Sequence, residues 1–261
     1  MTPRGALPPV AVPYPDPSSS LQARARVLAG ELGLSFVEAP PPSGLYLLLS
    51  AERLMLCEAA AHRARPFFVD FASGATAHRA RSSGLRQPLA RAAGFKKGGR
   101  PLAVLDATAG FGRDAFALAS LGARVTAIER NPAVFALTRD GFERAAAHPS
   151  IASVMEARLR LVHADAREVL LHLPEADRPD AVYIDPMYPA PRKRSALPGR
   201  EIRLLRRLVG GDADAAALLA AAQKAARERV AVKRPPSAPP LGGKPSLQFT
   251  GKLARYDVYL V

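Results

Sequence analysis

From Pro101 onward the chain alternates short apolar runs with longer stretches of helical periodicity. PLAVLD, ARVTAIE, LRLVHAD, DAVYID and RVAVKR read as strands. Helices are predicted from about Arg113 and from about Pro132, a short helix follows LRLVHAD, and a helical region follows DAVYID. Strands of this length separated by helices mark a parallel sheet built of right-handed βαβ units. The tail LARYDVYLV alternates like a last strand, and a Pro/Gly-rich loop joins it to RVAVKR. It is predicted to pair antiparallel at or near the sheet edge.

The first hundred residues follow another pattern. Residues 1 to 20 are rich in Pro and Ser and read as an extended or mobile lead-in. LQARARVLAGELG has helical character and stops at Gly33, and LYLLLS, LMLCEA and PFFVDF read as three strands. The Ser50 to Arg53 turn predicts a hairpin between the first two. The expected organisation is a flexible lead-in over 1–20, a small N-terminal α/β subdomain over 21–98 and a main domain over 99–261. The small piece is too short for a comfortable core of its own and is expected to pack on the main domain.

Charge narrows the partners. The 261 residues carry 37 Lys and Arg against 23 Asp and Glu, a net charge of +14, which favours a polyanion and points first to nucleic acid. From Pro189 to Val261 there are 15 basic and 5 acidic residues, so +10 of the total lies in that stretch. The single cysteine, Cys57, excludes an internal disulfide and a multi-cysteine metal centre, and no metal is expected. No apolar run approaches the roughly 20 residues that span a bilayer, and the N-terminus lacks the apolar core of a signal peptide, so a cytoplasmic protein is expected.

In open α/β sheets, ligands bind beyond the carboxyl ends of the strands. Here those ends carry Asp106, Glu129, Asp165 and Asp185. One such acid is commonly a helix cap or turn former; four in succession point to a shared ligand. The first loop, DATAGFGRDAF, satisfies the dinucleotide pattern with Gly110, Gly112 and Ala115, which keeps an NAD-dependent oxidoreductase as a rival. Asp106 and Asp114 flank that loop and would repel a pyrophosphate. They suit the sulfonium and ammonium of S-adenosylmethionine, with Glu129 accepting the ribose hydroxyls and Asp165 or its neighbours meeting the adenine edge.

DAVYIDPMYPAPRKR then supplies acceptor chemistry. An amine conjugated to a heterocycle is a weak nucleophile, because its lone pair is delocalised into the ring. The Asp185 carboxylate and the Pro186 carbonyl can accept its protons and favour a pyramidal nitrogen, while Tyr188 stacks on the base. Arg192, Lys193 and Arg194 can hold flanking phosphates, as can Lys233 and Arg234 at the end of RVAVKR. KRSALPGREIRLLRRL reads as a lid over the site or an ordinary amphipathic helix. His78 is given no catalytic role, since direct methyl transfer needs no strong base.

VDFASGATAHR, LDATAGFGRDAFALASLG, IERNPAVFAL, IDPMYP, KRSAL and VAVKRPPSAPPL, in that order, resemble the J-type family of bacterial small-subunit ribosomal RNA methyltransferases. The resemblance runs from about residue 67 to the end. It implies a Rossmann-like class I methyltransferase sheet with a small N-terminal α/β appendage. It also implies methyl transfer from S-adenosylmethionine to N2 of a guanine in 16S rRNA, with S-adenosylhomocysteine as product and 16S rRNA or the 30S subunit as partner. Cofactor contacts are implied at Asp106, Gly110, Arg113-Asp114, Glu129-Arg130, Asp165-Ala166 and Asp185. Familiar members carry small hydroxylic residues where this chain has Asp165-Ala166. Transfer to adenine N6 or to a protein amide remains the alternative within the same chemistry, and a non-catalytic RNA-binding protein the alternative outside it.

Overall fold

The computed structural model describes residues 7–13, 18–59, 65–73, 84–187 and 199–261. The chain forms two compact units, each assembled from separate segments. The first draws on Met1–Asp70, Asn131–Arg144 and Pro189–Gly211, the second on Phe71–Arg130, Ala145–Tyr188 and Asp212–Val261. The division is therefore not the linear one expected near residue 98.

The first unit holds a four-stranded sheet in the order β2-β1-β3-β4. Strand β1 (Val10–Ala11) runs parallel to both β2 (Phe36–Val37) and β3 (Leu45–Leu49), and β3 forms an antiparallel hairpin with β4 (Leu54–Glu58). The hairpin turn closes on Ser50, whose hydroxyl accepts from the Arg53 amide and donates to the Arg53 carbonyl. Helix α1 (Ser19–Leu32) begins at Ser18, whose side chain accepts from the Leu21 amide, and ends at Gly33 in the left-handed region at φ 62°.

Two expectations change here. Val10, Ala11 and Val12 are fully buried, so the lead-in contributes a strand inside the sheet. Prolines misled the reading: Pro8 and Pro9 precede the strand and remove no amide from its ladder, while the Pro9 carbonyl accepts from Leu47. PFFVDF makes only a single bridge, Phe67 to Leu56, and no full strand. Its Phe68 ring instead takes the Arg53 guanidinium, 4.4 Å from the ring centre.

The second unit holds a seven-stranded sheet in the order β10-β11-β9-β8-β5-β6-β7. These are β5 (Ala103–Asp106), β6 (Arg124–Glu129), β7 (Leu159–His163), β8 (Ala181–Ile184), β9 (Arg229–Arg234), β10 (Leu247–Thr250) and β11 (Arg255–Leu260). Strands β5 to β9 are mutually parallel, and β11 is antiparallel to both β9 and β10. The tail thus lies one strand in from the edge, and β10, unread in the sequence, forms the edge itself. Its four residues are mostly exposed and include Gln248 and Thr250, so they give no apolar signal.

Helices cover both faces, which is why the central strands are apolar on both sides. Leu89 of α2 (Pro88–Ala93) and Leu118 of α3 (Arg113–Ser120) pack with Val104, Tyr183 and Ala231 on one face. On the other, Leu170 of α6 (Ala166–Leu171) and Leu219 of α8 (Ala215–Ala225) pack with Leu105, Val182 and Val230. Among the described residues, the remaining α-helices are α4 (Pro132–Ala146), α5 (Ala152–Arg158) and α7 (Arg200–Val209). Among the described residues, no helix is long and apolar enough to cross a membrane.

Candidate active site

The strand order reverses at β5: the chain steps outward through β6 and β7, then returns to β8 on the other side. Such a switch point leaves an opening beyond the carboxyl ends of the strands, and the predicted acids converge on it. Asp106 ends β5 and is 1% exposed. One of its oxygens accepts from the Thr108 amide at 3.1 Å. Burial, reinforced by Asp114 and Asp185 and opposed by the Thr108 amide and Lys233, pushes its pKa up to about 8. Burial thus favours the neutral form of Asp106 at pH 7.

The following loop turns through Gly110 at φ 53° and Gly112 at φ 72°, which only glycine adopts without strain, and α3 begins directly after it. The Gly110 amide donates to Glu129 Oε2 at 2.9 Å, so the carboxylate at the end of β6 closes onto the glycine loop. Asp114, in the first turn of α3, accepts from the Tyr183 hydroxyl at 2.6 Å and from Lys233 Nζ at 2.7 Å. Asp185, just beyond β8, donates its amide to Thr108 Oγ1 at 2.6 Å and accepts from Lys233 Nζ at 2.8 Å through Oδ2. Among the described residues, its Oδ1 accepts no hydrogen bond, and its side chain is 34% exposed.

One cation thus balances two carboxylates. Burial alone would drive the Lys233 ammonium down, but Asp114 and Asp185 outweigh it and hold the group charged, its pKa well above normal. Burial raises the Asp185 carboxyl, with Asp114 adding and Lys233 opposing. Burial, then Asp114 and Asp185, holds the Tyr183 phenol well above its ordinary value, and burial with Asp114 brings Tyr256 to about 12. Both tyrosines stay neutral; Tyr183 donates to Asp114, and the two ring centres lie 6.5 Å apart.

With that geometry, relatives become informative. The family model described as "Putative SAM-dependent methyltransferase" matches residues 29–261. The ribosomal RNA small subunit methyltransferase J of Thioalkalivibrio sulfidiphilus is 48% identical over 245 residues, covering 93% of this chain and 95% of that one. The protein of the same name from Chromobacterium violaceum is 43% identical, covering 91% and 92%. The crystal structure of the SAM-dependent methyltransferase NGO1261 from Neisseria gonorrhoeae superposes with a TM-score of 0.73 at 35% identity, over 96% of this chain and 95% of that one. The chain belongs to the ribosomal RNA small subunit methyltransferase J family.

It is a Rossmann-like methyltransferase whose methyl donor is S-adenosylmethionine, and the rival dinucleotide reading of the glycine loop falls. The donor set fits such a group. Glu129 already occupies the Gly110 amide, and the partly exposed Asp114 and Asp185 carboxylates stand beside Lys233, with Asp106 buried behind them. With the Gly110 amide taken and Glu129, Asp114 and Asp185 set against the Lys233 ammonium, the lining disfavours phosphate and suits a sulfonium.

The methyltransferase commits several predicted residues to its own scaffold. Arg130 forms ion pairs with Asp212 at 2.6 Å and Asp214 at 2.5 Å, and Asp165 pairs with Arg167 at 2.7 Å while capping α6. Ala166 is buried behind that cap, and Arg113 opens α3 beside Asp114. The Arg167 bond holds the Asp165 carboxyl below the usual range. Lys233 points into the site, corrected from a phosphate contact to the counter-ion of Asp114 and Asp185, because its ammonium is already held by both carboxylates. Arg234 is likewise corrected: it is 7% exposed and donates to the Pro239 carbonyl, where a phosphate could not reach it. Tyr188, Arg192, Lys193, Arg194 and His78 lie outside the described residues.

Thr108, Tyr183 and Asp212 were not singled out from sequence. Asp212 Oδ2 accepts from the Met187 amide at 2.7 Å, fastening the turn after Asp185-Pro186 to the Arg130 ion pairs. No spacing rule signals it, for Asp212 lies 25 residues beyond Met187. Thr108 had a faint signal as the hydroxyl in the Asp106-Ala107-Thr108 loop.

Proposed function

We propose that this methyltransferase transfers the methyl group to the exocyclic N2 of a guanine in 16S rRNA, as free RNA or within the 30S subunit, in the cytoplasm. The observation that carries the reading is the one-third-exposed Asp185 carboxylate at the switch point, backed by Thr108 and Lys233. The relatives' name for their substrate and the net charge of +14 support RNA as the acceptor.

Bound S-adenosylmethionine supplies an electrophilic methyl carbon on a sulfonium. Asp185 and the Pro186 carbonyl accept the two amine protons, so the nitrogen lone pair turns out of the ring plane and faces that carbon. The N–C bond forms as the C–S bond breaks, and the surplus proton leaves through Asp185 to water. Tyr188 holds the base by stacking, and Glu129 accepts the ribose hydroxyls of the donor. Thr108 fixes the backbone of Asp185, so that the acceptor is in place before substrate arrives.

Labelled methyl transfer to 16S rRNA and to 30S subunits lacking the modification, followed by nucleoside analysis, tests this reading. N2-methylguanosine is the expected product. N6-methyladenosine, or transfer to a protein amide alone, would overturn the guanine assignment.

A further inference from the structure

Lys233 and Arg234 are engaged within the fold, and other described cations stand at the same rim. Sheet register shows where. Ile184 of β8 pairs with Val232 of β9, Lys233 with Tyr256 of β11, and Tyr256 with Phe249 of β10. One residue further, Thr250 pairs with Arg255, and the chain turns through Gly251 to Ala254. That turn therefore emerges at the same end of the sheet as Asp185, three strands across, or about 14 Å at ordinary strand spacing.

The turn is built to project. The Gly251 amide donates to the Ala254 carbonyl at 2.8 Å, and a β-carbon on Gly251 would stand 3.3 Å from Pro88 Cγ at the start of α2. Its tip carries Lys252 and Leu253, and Leu253 is 91% exposed, the most exposed large apolar side chain among the described residues. Leu85 and Arg86, just before α2, are also exposed. Neither Gly84 to Leu105 nor Pro235 to Tyr256 contains an Asp or Glu. A lone exposed leucine is ordinary. A leucine on a braced turn, flanked by cations, at the mouth of a site for a polyanion is not.

We infer that the β10–β11 turn, with the residues leading into α2, grips the RNA flanking the target nucleotide: Lys252 and Arg86 on phosphates, Leu253 against an exposed base. The inference rests on the rRNA reading above. An apolar side chain at this place can fill the stack next to an extruded base, while the two cations add a salt-dependent hold that carries no sequence preference.

The test uses the full chain with Lys252→Glu and Arg86→Glu combined, and separately Leu253→Ala. Steady-state kinetics on unmodified 30S subunits are compared with S-adenosylhomocysteine affinity. The double variant should raise the KM for RNA by about tenfold and flatten its salt dependence, since two phosphate contacts are lost. Affinity for S-adenosylhomocysteine and kcat at saturating RNA should stay unchanged. Leu253→Ala should raise KM several-fold with the salt slope retained. Wild-type activity on 30S combined with an unchanged KM and salt slope in the double variant overturns this surface alone. A wild type that methylates no small-subunit RNA overturns the rRNA reading and this inference with it.

Discussion

Lys233 Nζ stands 2.8 Å from Asp185 Oδ2 while holding Asp114 Oδ2 at 2.7 Å, so the acceptor at the end of β8 is half of an ion pair before any substrate arrives. Partly buried carboxylates close together favour protonation, and a protonated Asp185 would present a donor where the amine needs an acceptor. The lysine opposes protonation and favours the ionised form of Asp185. It also ties β9 and the first turn of α3 to the acceptor, which fixes the direction in which Oδ2 points.

Replacing Lys233 with Met should therefore shift the pH profile. Asp114, Asp106, Asp212, Tyr183 and Tyr256 face Asp185, and none supplies a positive charge. The Asp185 pKa, already raised by burial, rises further, so the acid limb of kcat/KM moves to higher pH and activity at neutral pH falls. Lys233→Arg should restore part of it. Superposable profiles for wild type and Lys233→Met would show that the lysine does not set the charge of Asp185.

Asp106 makes a stability prediction with a definite sign. Its pKa rises from 3.8 in the unfolded chain to about 8 in the fold, so the folded state binds the extra proton between those values. Stability from this group is greatest at low pH and falls as pH climbs through that window. Asp106→Asn removes the cost of ionisation. Melting curves across that range should show the variant gaining on wild type as pH rises; a constant difference would refute the shift.

Asp212 should matter although it touches no reacting atom. Asp212→Ala removes the acceptor for the Met187 amide and one partner of Arg130, a loss of about 1–3 kcal/mol for a partly buried, charge-assisted bond. A looser turn after Asp185-Pro186 should lower kcat with little change in S-adenosylhomocysteine affinity. Asp212→Asn, which keeps an acceptor oxygen for Met187, should recover more activity than Ala. Equal kcat for all three proteins, measured at saturating substrate, would remove this positioning role.

Glu129 and Asp185 separate donor binding from transfer. Glu129→Ala should weaken S-adenosylhomocysteine binding by calorimetry, and it also frees the Gly110 amide. Asp185→Ala should lower transfer by at least about a hundredfold while RNA binding persists. Parallel loss of RNA binding and turnover in Asp185→Ala would count against its place at the amine.

The sequence by itself determined the parallel part of the large sheet and the strand that closes the chain. Short apolar strands ending in Asp106, Glu129 and Asp185, each followed by a turn and a helix, are local patterns, and local patterns survive without knowledge of neighbours. It could not resolve β1, which hides behind two prolines, or β10, an exposed edge strand whose side chains carry little apolar signal. Nor could it tell where the cations point. Lys233 lies 119 residues from Asp114 and 48 from Asp185, and Arg130 lies 84 from Asp214. Only the strand order, with β9 beside β8 and the helix after β5 above them, brings those charges within hydrogen-bonding distance. A lysine at a strand end looks the same in sequence whether it faces solvent or a carboxylate. Which one it meets depends on the electrostatics of groups that are neighbours only once the sheet has formed.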